Sequence, residues 1–209
     1  MKPDAIIFDL DGTLWDAVPT YAKAWNIVLQ NHKIDKYLHP NQLHPLMGLQ
    51  AEIFLDRILT EQTDSERLTM YNEIVELQDE LILKEGGKLY DGVEEGLRKL
   101  CLKYQLMILS NCPAYTIHHF LEWSGLEECF TDHLSYGLSP VSKAENLKIL
   151  TRKNNLSSPV YVGDTDSDSQ QAIKAEVPFM FADYGFGTTK KYQLRFESFN
   201  HLSEFFLEL

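Results

Sequence analysis

Asp9 and Asp11, in the run Ala5-Ile6-Ile7-Phe8-Asp9-Leu10-Asp11-Gly12-Thr13, are carboxylates separated by a single residue. On an extended segment residues i and i+2 point the same way, so both aim into one crevice, and Gly12 lets the backbone turn sharply behind them. Two carboxylates so close repel each other and need a cation. Mg2+ suits them, being a hard ion that takes oxygen ligands and keeps positions for water and a substrate phosphate. A structural turn is the competing reading, because Asp-Gly is a common hairpin dipeptide and the pattern could open a calcium loop. An EF-hand places Gly sixth and Glu twelfth; counted from Asp9, those positions hold Leu14 and Thr20, and the pattern fails.

A second acidic cluster, Gly163-Asp164-Thr165-Asp166-Ser167-Asp168, also looks like a calcium loop, but Ser169 and Ala175 stand where Gly and Glu are required. Asp164 reads better as a metal ligand at a strand end, with Asp168 one helical turn further on and turned back toward the same crevice. Asp166 and Ser167 read as helix N-caps. Ser110 and Asn111 form a third polar pair after an apolar run. Lys143 opens a helix at Ser142-Lys143-Ala144-Glu145, which fits a capping box. A lysine there opposes the helix dipole, and a nearby phosphate or aspartyl phosphate would explain it; a solvated surface lysine is the alternative.

These residues need elements to position them. Ala5 to Phe8 is an unbroken apolar run, which reads as a strand buried on both faces of a parallel sheet. From Pro19, the residues Tyr21, Ala24, Trp25, Val28 and Leu29 line one helix face. Gln50 to Leu59 and Asp64 to Lys84 repeat that spacing until Gly86-Gly87, with no strand between about Asp16 and Glu85. From Leu89 the pattern alternates: helix from Val93 to Tyr104, strand Leu106 to Leu109, helix Ala114 to Ser124, weak strand His133 to Tyr136, helix Ser142 to Asn154, strand Val160 to Val162, strand Phe179 to Phe181. A helix closes the chain between Phe196 and Leu209. Such alternation implies an α/β doubly wound parallel sheet, with ligands beyond the carboxyl ends of its strands. Asp9 and Asp11, Ser110 and Asn111, and Asp164 to Asp168 all follow predicted strands, so they would meet at one edge.

The 209 residues suit one domain with a large insertion. A net charge of −12 repels polyanions, so nucleic acid is excluded as an expected partner while a small phosphate ester is not. Cys101, Cys112 and Cys129 are odd in number and form no paired motif, which fits a reducing cytoplasm. The apolar run before Asp9 is too short for a signal peptide, and no apolar span reaches membrane length.

Asp9-Leu10-Asp11-Gly12-Thr13, Ser110, Lys143, and Gly163-Asp164 with Asp168 resemble, in the same order and over nearly the whole chain, the four signature motifs of the haloacid dehalogenase-like hydrolase superfamily. The helical insert is similar to the cap of the branch containing phosphoglycolate phosphatase and β-phosphoglucomutase. The resemblance implies a Rossmann-like core of residues 1–15 and 86–209 with an all-helical cap of residues 16–85. It implies that Asp9 attacks phosphorus and that Asp11 protonates the leaving alkoxide, then deprotonates water. It further implies Mg2+ held by Asp9, the backbone carbonyl of Asp11 and Asp164. Ser110, Asn111, Lys143, Gly12 and Thr13 would bind phosphoryl oxygens, and Asp168 would orient the metal waters or Lys143. Two departures stand out: relatives carry the lysine in a Lys-Pro-x-Pro run, near Ser139-Pro140 here, and Ala175-Glu176-Val177 replaces an Ala-Gly turn.

The expected activity is that of a cytoplasmic, Mg2+-dependent phosphatase acting on a small phosphorylated metabolite, with the oligomeric state left open and a monomer favoured. Selectivity should lie near Gly48, Leu49 and Gln50, with no cation adjacent and Arg57 facing the helical core. Trp15 and Tyr21 are near enough to line the mouth, though core packing is the expected fate of both. A phosphomutase would use the same two aspartates and return the phosphoryl group to its substrate. A dehalogenase would lack Asp11. A binding protein without turnover would have no need of the pair.

Overall fold

Ala5–Phe8 forms β1, buried on both faces as its uninterrupted apolar sequence requires. In the computed structural model, which describes residues 2–209, β1 is followed by a two-residue strand, β2 (Trp15–Asp16), and then by four helices: α1 (Val18–Asn31), α2 (Pro40–Leu43), α3 (Ala51–Ile58) and α4 (Asp64–Glu85). Pro19 starts α1, whose Tyr21, Ala24, Trp25, Val28 and Leu29 are buried, and α1 packs along α4. A reciprocal Thr63–Glu66 capping box opens α4, and Gly86 closes it at φ +64°. The segment between Asp16 and Glu85 contains no further strand.

The chain then re-enters the sheet region through β3 (Lys88–Leu89), which pairs antiparallel with β2, so a small ribbon joins the two strands that flank the helical insert. Neither strand is visible in sequence, because two residues carry no periodicity. Beyond it come α5 (Val93–Leu100), β4 (Gln105–Ser110), α6 (Thr116–Ser124), β5 (Asp132–Ser135), α7 (Lys143–Lys153), β6 (Val160–Gly163), α8 (Asp166–Ala175), β7 (Phe179–Ala182), β8 (Leu194–Phe196) and α9 (Phe199–Glu208). The helix expected to reach Tyr104 stops at Leu100, after which hydrogen-bonded turns lead into β4. The edge strand β8 escaped the sequence reading because its first two residues are exposed and only Phe196 is buried.

The main sheet has the order β5-β4-β1-β6-β7-β8, with every pair parallel. The order reverses at β1, the position where doubly wound sheets leave a crevice beyond their carboxyl ends. Alternate residues feed two separate cores. Ile6, Phe8, Leu106, Ile108 and Val162 pack with Trp15, Ile117, Phe120 and Phe199, whereas Ile7, Met107, Leu109 and Tyr161 pack with Leu147 of α7 and Ala172 of α8. The result is an α/β/α layering of Rossmann type. Arg57 is exposed on α3 instead of facing the helical core, since Ile58 and Leu59 take the buried side. Among the described residues no helix is long and apolar enough to cross a membrane.

Candidate active site

The registers Phe8↔Ile108 and Phe8↔Val162 bring the carboxyl ends of β1, β4 and β6 within two residues of one another. The Asp9 amide extends this by donating to the Val162 carbonyl at 2.8 Å. Just beyond, Asp9, Ser110, Lys143, Asp164 and Asp168 are all buried. One carboxylate oxygen from each of Asp9, Asp164 and Asp168 lies within 4.8 Å of the others. Lys143 Nζ stands 2.6 Å from Asp168 Oδ1 and 3.1 Å from Asp9 Oδ1, which explains a lysine at the first turn of α7: two buried carboxylates outweigh the helix dipole. It is the one buried Lys or Arg among the described residues.

Asp168 is saturated by the protein. Its Oδ1 accepts from Lys143 and from the Tyr161 hydroxyl at 3.1 Å, and its Oδ2 accepts from the amide and hydroxyl of Thr165. The N-cap of α8 is therefore Thr165, with Asp168 as the third residue of its capping box; Asp166 and Ser167 sit inside the helix, not at its cap. Asp164 is different. Its Oδ2 accepts from the Phe186 amide at 2.7 Å, while its Oδ1 is buried with no hydrogen-bond partner. Gly12 makes room for it: φ is +81°, and a Cβ there would stand 2.2 Å from Asp164 Oδ2.

Asp11 points the other way, accepting from the Tyr21 hydroxyl at 3.0 Å. Burial, followed by the charge of Asp9, raises its carboxyl to about 7, against the pull of the Tyr21 hydrogen bond. Burial likewise raises Asp9 to about 6, with Asp168 adding to the shift and Lys143 opposing it. Burial alone would also raise Asp168, but Lys143 and Thr165 hold it below the usual carboxylate value. For Asp164 burial, Asp168 and Asp9 act together and push the carboxyl well up.

The remaining predicted residues are distributed around this centre. Ser110 and Asn111 line a cavity that opens between the strand ends and the helical segment, and Asn111 Nδ2 donates to the Gly48 carbonyl at 2.7 Å. The amides of Gly12 and Thr13 are spent inside the turn, on the carbonyls of Trp15 and Leu10, and the Thr13 hydroxyl is buried without a partner. Trp15 is in the core, edge-on to Phe120. Tyr21 is buried and lines the cavity as well. Sequence reasoning missed Tyr161, Thr165 and the Phe186 amide, which hold the acidic residues. For Tyr161 a signal existed, a hydroxyl within the apolar run Val160-Tyr161-Val162; the Phe186 amide has none, being backbone in a loop.

An all-oxygen donor set, with an orphaned buried carboxylate oxygen and carboxyls pushed upward for want of positive charge, fits a hard divalent cation. Asp164 Oδ1 is the uncommitted oxygen; Asp9 Oδ1 meets only the Lys143 ammonium at 3.1 Å, and both oxygens of Asp168 are spent.

A family model described as haloacid dehalogenase-like hydrolase matches residues 6–182. The chain is 29% identical over 192 residues to the phosphoglycolate phosphatase of Photobacterium profundum, covering 87% of this chain and 83% of that protein. It is 28% identical over 182 residues to the pyrophosphatase PpaX of Listeria monocytogenes, covering 84% and 81% respectively. Among solved structures, a predicted phosphoglycolate phosphatase from Haemophilus somnus superposes with a TM-score of 0.88 at 22% identity, over 98% of both chains.

Proposed function

The chain belongs to the haloacid dehalogenase-like hydrolases and is a phosphatase, and from that premise we propose that it hydrolyses a small phosphorylated metabolite with Mg2+, through an aspartyl phosphate on Asp9. The observation that carries the reading is the buried Asp9–Asp164–Asp168 cluster with Lys143 among it, beside Asp11, whose carboxyl burial raises to about 7. Residues 16–85 act as a cap over this centre, and 1–15 with 86–209 form the catalytic unit. The setting is cytoplasmic.

An Asp9 oxygen attacks phosphorus, and the bond to the ester oxygen breaks. Asp11, protonated in an appreciable fraction near neutral pH, gives its proton to that oxygen and the alcohol leaves. The Asp11 carboxylate then takes a proton from water as the water oxygen attacks phosphorus; the bond to Asp9 breaks, and phosphate departs with Asp11 protonated again. One displacement has become two easier ones. The Tyr21 hydroxyl holds Asp11 toward the cavity, where the leaving group must lie. Lys143 and Ser110 bind phosphoryl oxygens, and Asp168 with Tyr161 fixes where the Lys143 ammonium points. Asp9, Asp164 and the Asp11 carbonyl would hold Mg2+, whose positive charge would let an anionic nucleophile approach an anionic phosphate.

The test is phosphate release from a panel of phosphate monoesters with and without Mg2+, beside an Asp9→Asn variant. Turnover should require Mg2+ and fall by at least about 10³-fold in the variant, with its circular dichroism unchanged. Retained activity in Asp9→Asn refutes the nucleophile. An isomerised sugar phosphate in place of free phosphate would identify a mutase, and saturable binding with no turnover a binding protein.

A further inference from the structure

Among the described residues no Lys, Arg or His lines the cavity above Asp11. Its walls include Trp25, Phe54 and Met47, with Tyr21, Tyr71 and Gln78 as the polar side chains on the helical side. Gln78, on α4, is only 9% exposed and lines the cavity, and its amide is not among the sealed polar groups left without a partner, so what reaches it comes through the cavity. An amide facing a cavity in this way is open to a ligand hydroxyl, which would replace solvent at little cost. The Lys143 ammonium is not part of this lining; it stands against Asp168 and Asp9, where the phosphoryl group is bound. The amino end of α3 borders the cavity, but Glu52 in its first turn already supplies an anion there, and that carboxylate accepts from Tyr136.

We propose that this cavity selects a phosphate monoester whose leaving alcohol is uncharged, has an apolar face and turns a hydroxyl toward Gln78, and that it rejects esters carrying a second anionic group. The proposal rests on the phosphatase reading above. A carboxylate on the leaving group would lie among aromatic walls with no counter-charge, near Asp11, and would lose its hydration without replacement. A hydroxyl in the same place would gain the Gln78 amide.

A matched pair of esters isolates the effect: 2-hydroxyethyl phosphate and phosphoglycolate differ only in a hydroxymethyl group against a carboxylate. With Mg2+, kcat/KM for the neutral ester should exceed that for phosphoglycolate by at least about 100-fold. Equal or better turnover of phosphoglycolate overturns the proposal. Gln78→Leu should lower kcat/KM for 2-hydroxyethyl phosphate about 10-fold more than for ethyl phosphate, which lacks the hydroxyl; an equal loss on both overturns the Gln78 contact. Gln78→Arg should move the preference toward phosphoglycolate by at least about 10-fold, the sign expected if charge is what the cavity lacks. Calorimetric binding of both esters to Asp9→Asn reads the same preference without turnover. If no ester is hydrolysed by the unaltered protein, the phosphatase reading fails, and the binding ratio still decides what the cavity accepts.

Discussion

The Asp11 carboxyl is raised from 3.8 to about 7 by burial and by the charge of Asp9. Between those values the folded chain keeps a proton that the unfolded chain has released, so stability present below pH 3.8 is lost as pH rises through about 7. One such carboxyl is worth at most about 4 kcal/mol. In a chelator, the melting temperature should therefore fall between about pH 5 and about pH 8, and fall less steeply in Asp11→Asn; thermal melts across that range check it. Lys143 bears on the same balance from the other side. Lys143→Met leaves Asp9 and Asp168 buried without a cation and should destabilise the fold by about 3–5 kcal/mol, a loss that Asp168→Asn partly reverses without restoring turnover. Denaturant melts of the single and double variants measure the coupling. Both aspartates of the first motif and Asp164 stand out in the sequence because carboxylates follow apolar runs abruptly. Gln78 and Tyr161 do not, because a polar residue within an amphipathic helix or a buried strand says nothing about which cavity or ion pair it meets.

At the scale of elements, strand–turn–helix junctions do the positioning. The turn after β1 is closed by the Gly12 amide on Trp15 and the Leu14 amide on Leu10, which separates the directions of Asp9 and Asp11: one toward the acidic cluster, the other toward Tyr21. The junction after β6 uses Thr165 to cap α8 and thereby turn Asp168 back onto Lys143. The far end of α8 carries no such role. Glu176 closes it at φ +60°, a left-handed conformation that favours glycine. Glu176→Gly should therefore raise stability by about 0.5–1 kcal/mol and leave kcat unchanged, as chemical denaturation and steady-state assays would report. Most helices and the longer strands were legible from apolar period, but α2, at four residues, is too short to show one, and of α8 only the start was read, from its acidic cluster. The β2–β3 ribbon, β8 and the Thr165 cap were not, since each is decided by which neighbour is available for hydrogen bonding.

At the scale of the whole molecule, β1, β6 and the loop after β7 hold the cluster in place before any ion arrives. Mg2+ at 100 times its Kd should add about 2.7 kcal/mol to stability. For a chain of 209 residues that is a rise of about 5–10 °C in melting temperature. Asp164→Asn should abolish the rise while leaving the metal-free protein no less stable, because the charge it removes is opposed by burial, Asp168 and Asp9. Calorimetry with and without Mg2+ tests both halves. By itself the sequence determined that three strand ends carry polar residues and that helices alone fill the interval from Asp16 to Glu85, since period and abrupt polarity changes are local properties of a chain. Only the tertiary structure decided that Asp168 is spent on Lys143, that Asp164 keeps a free oxygen, and that the space above Asp11 has no cation. Those facts depend on distances between segments far apart in the chain, where packing, and not local preference, sets which charges meet.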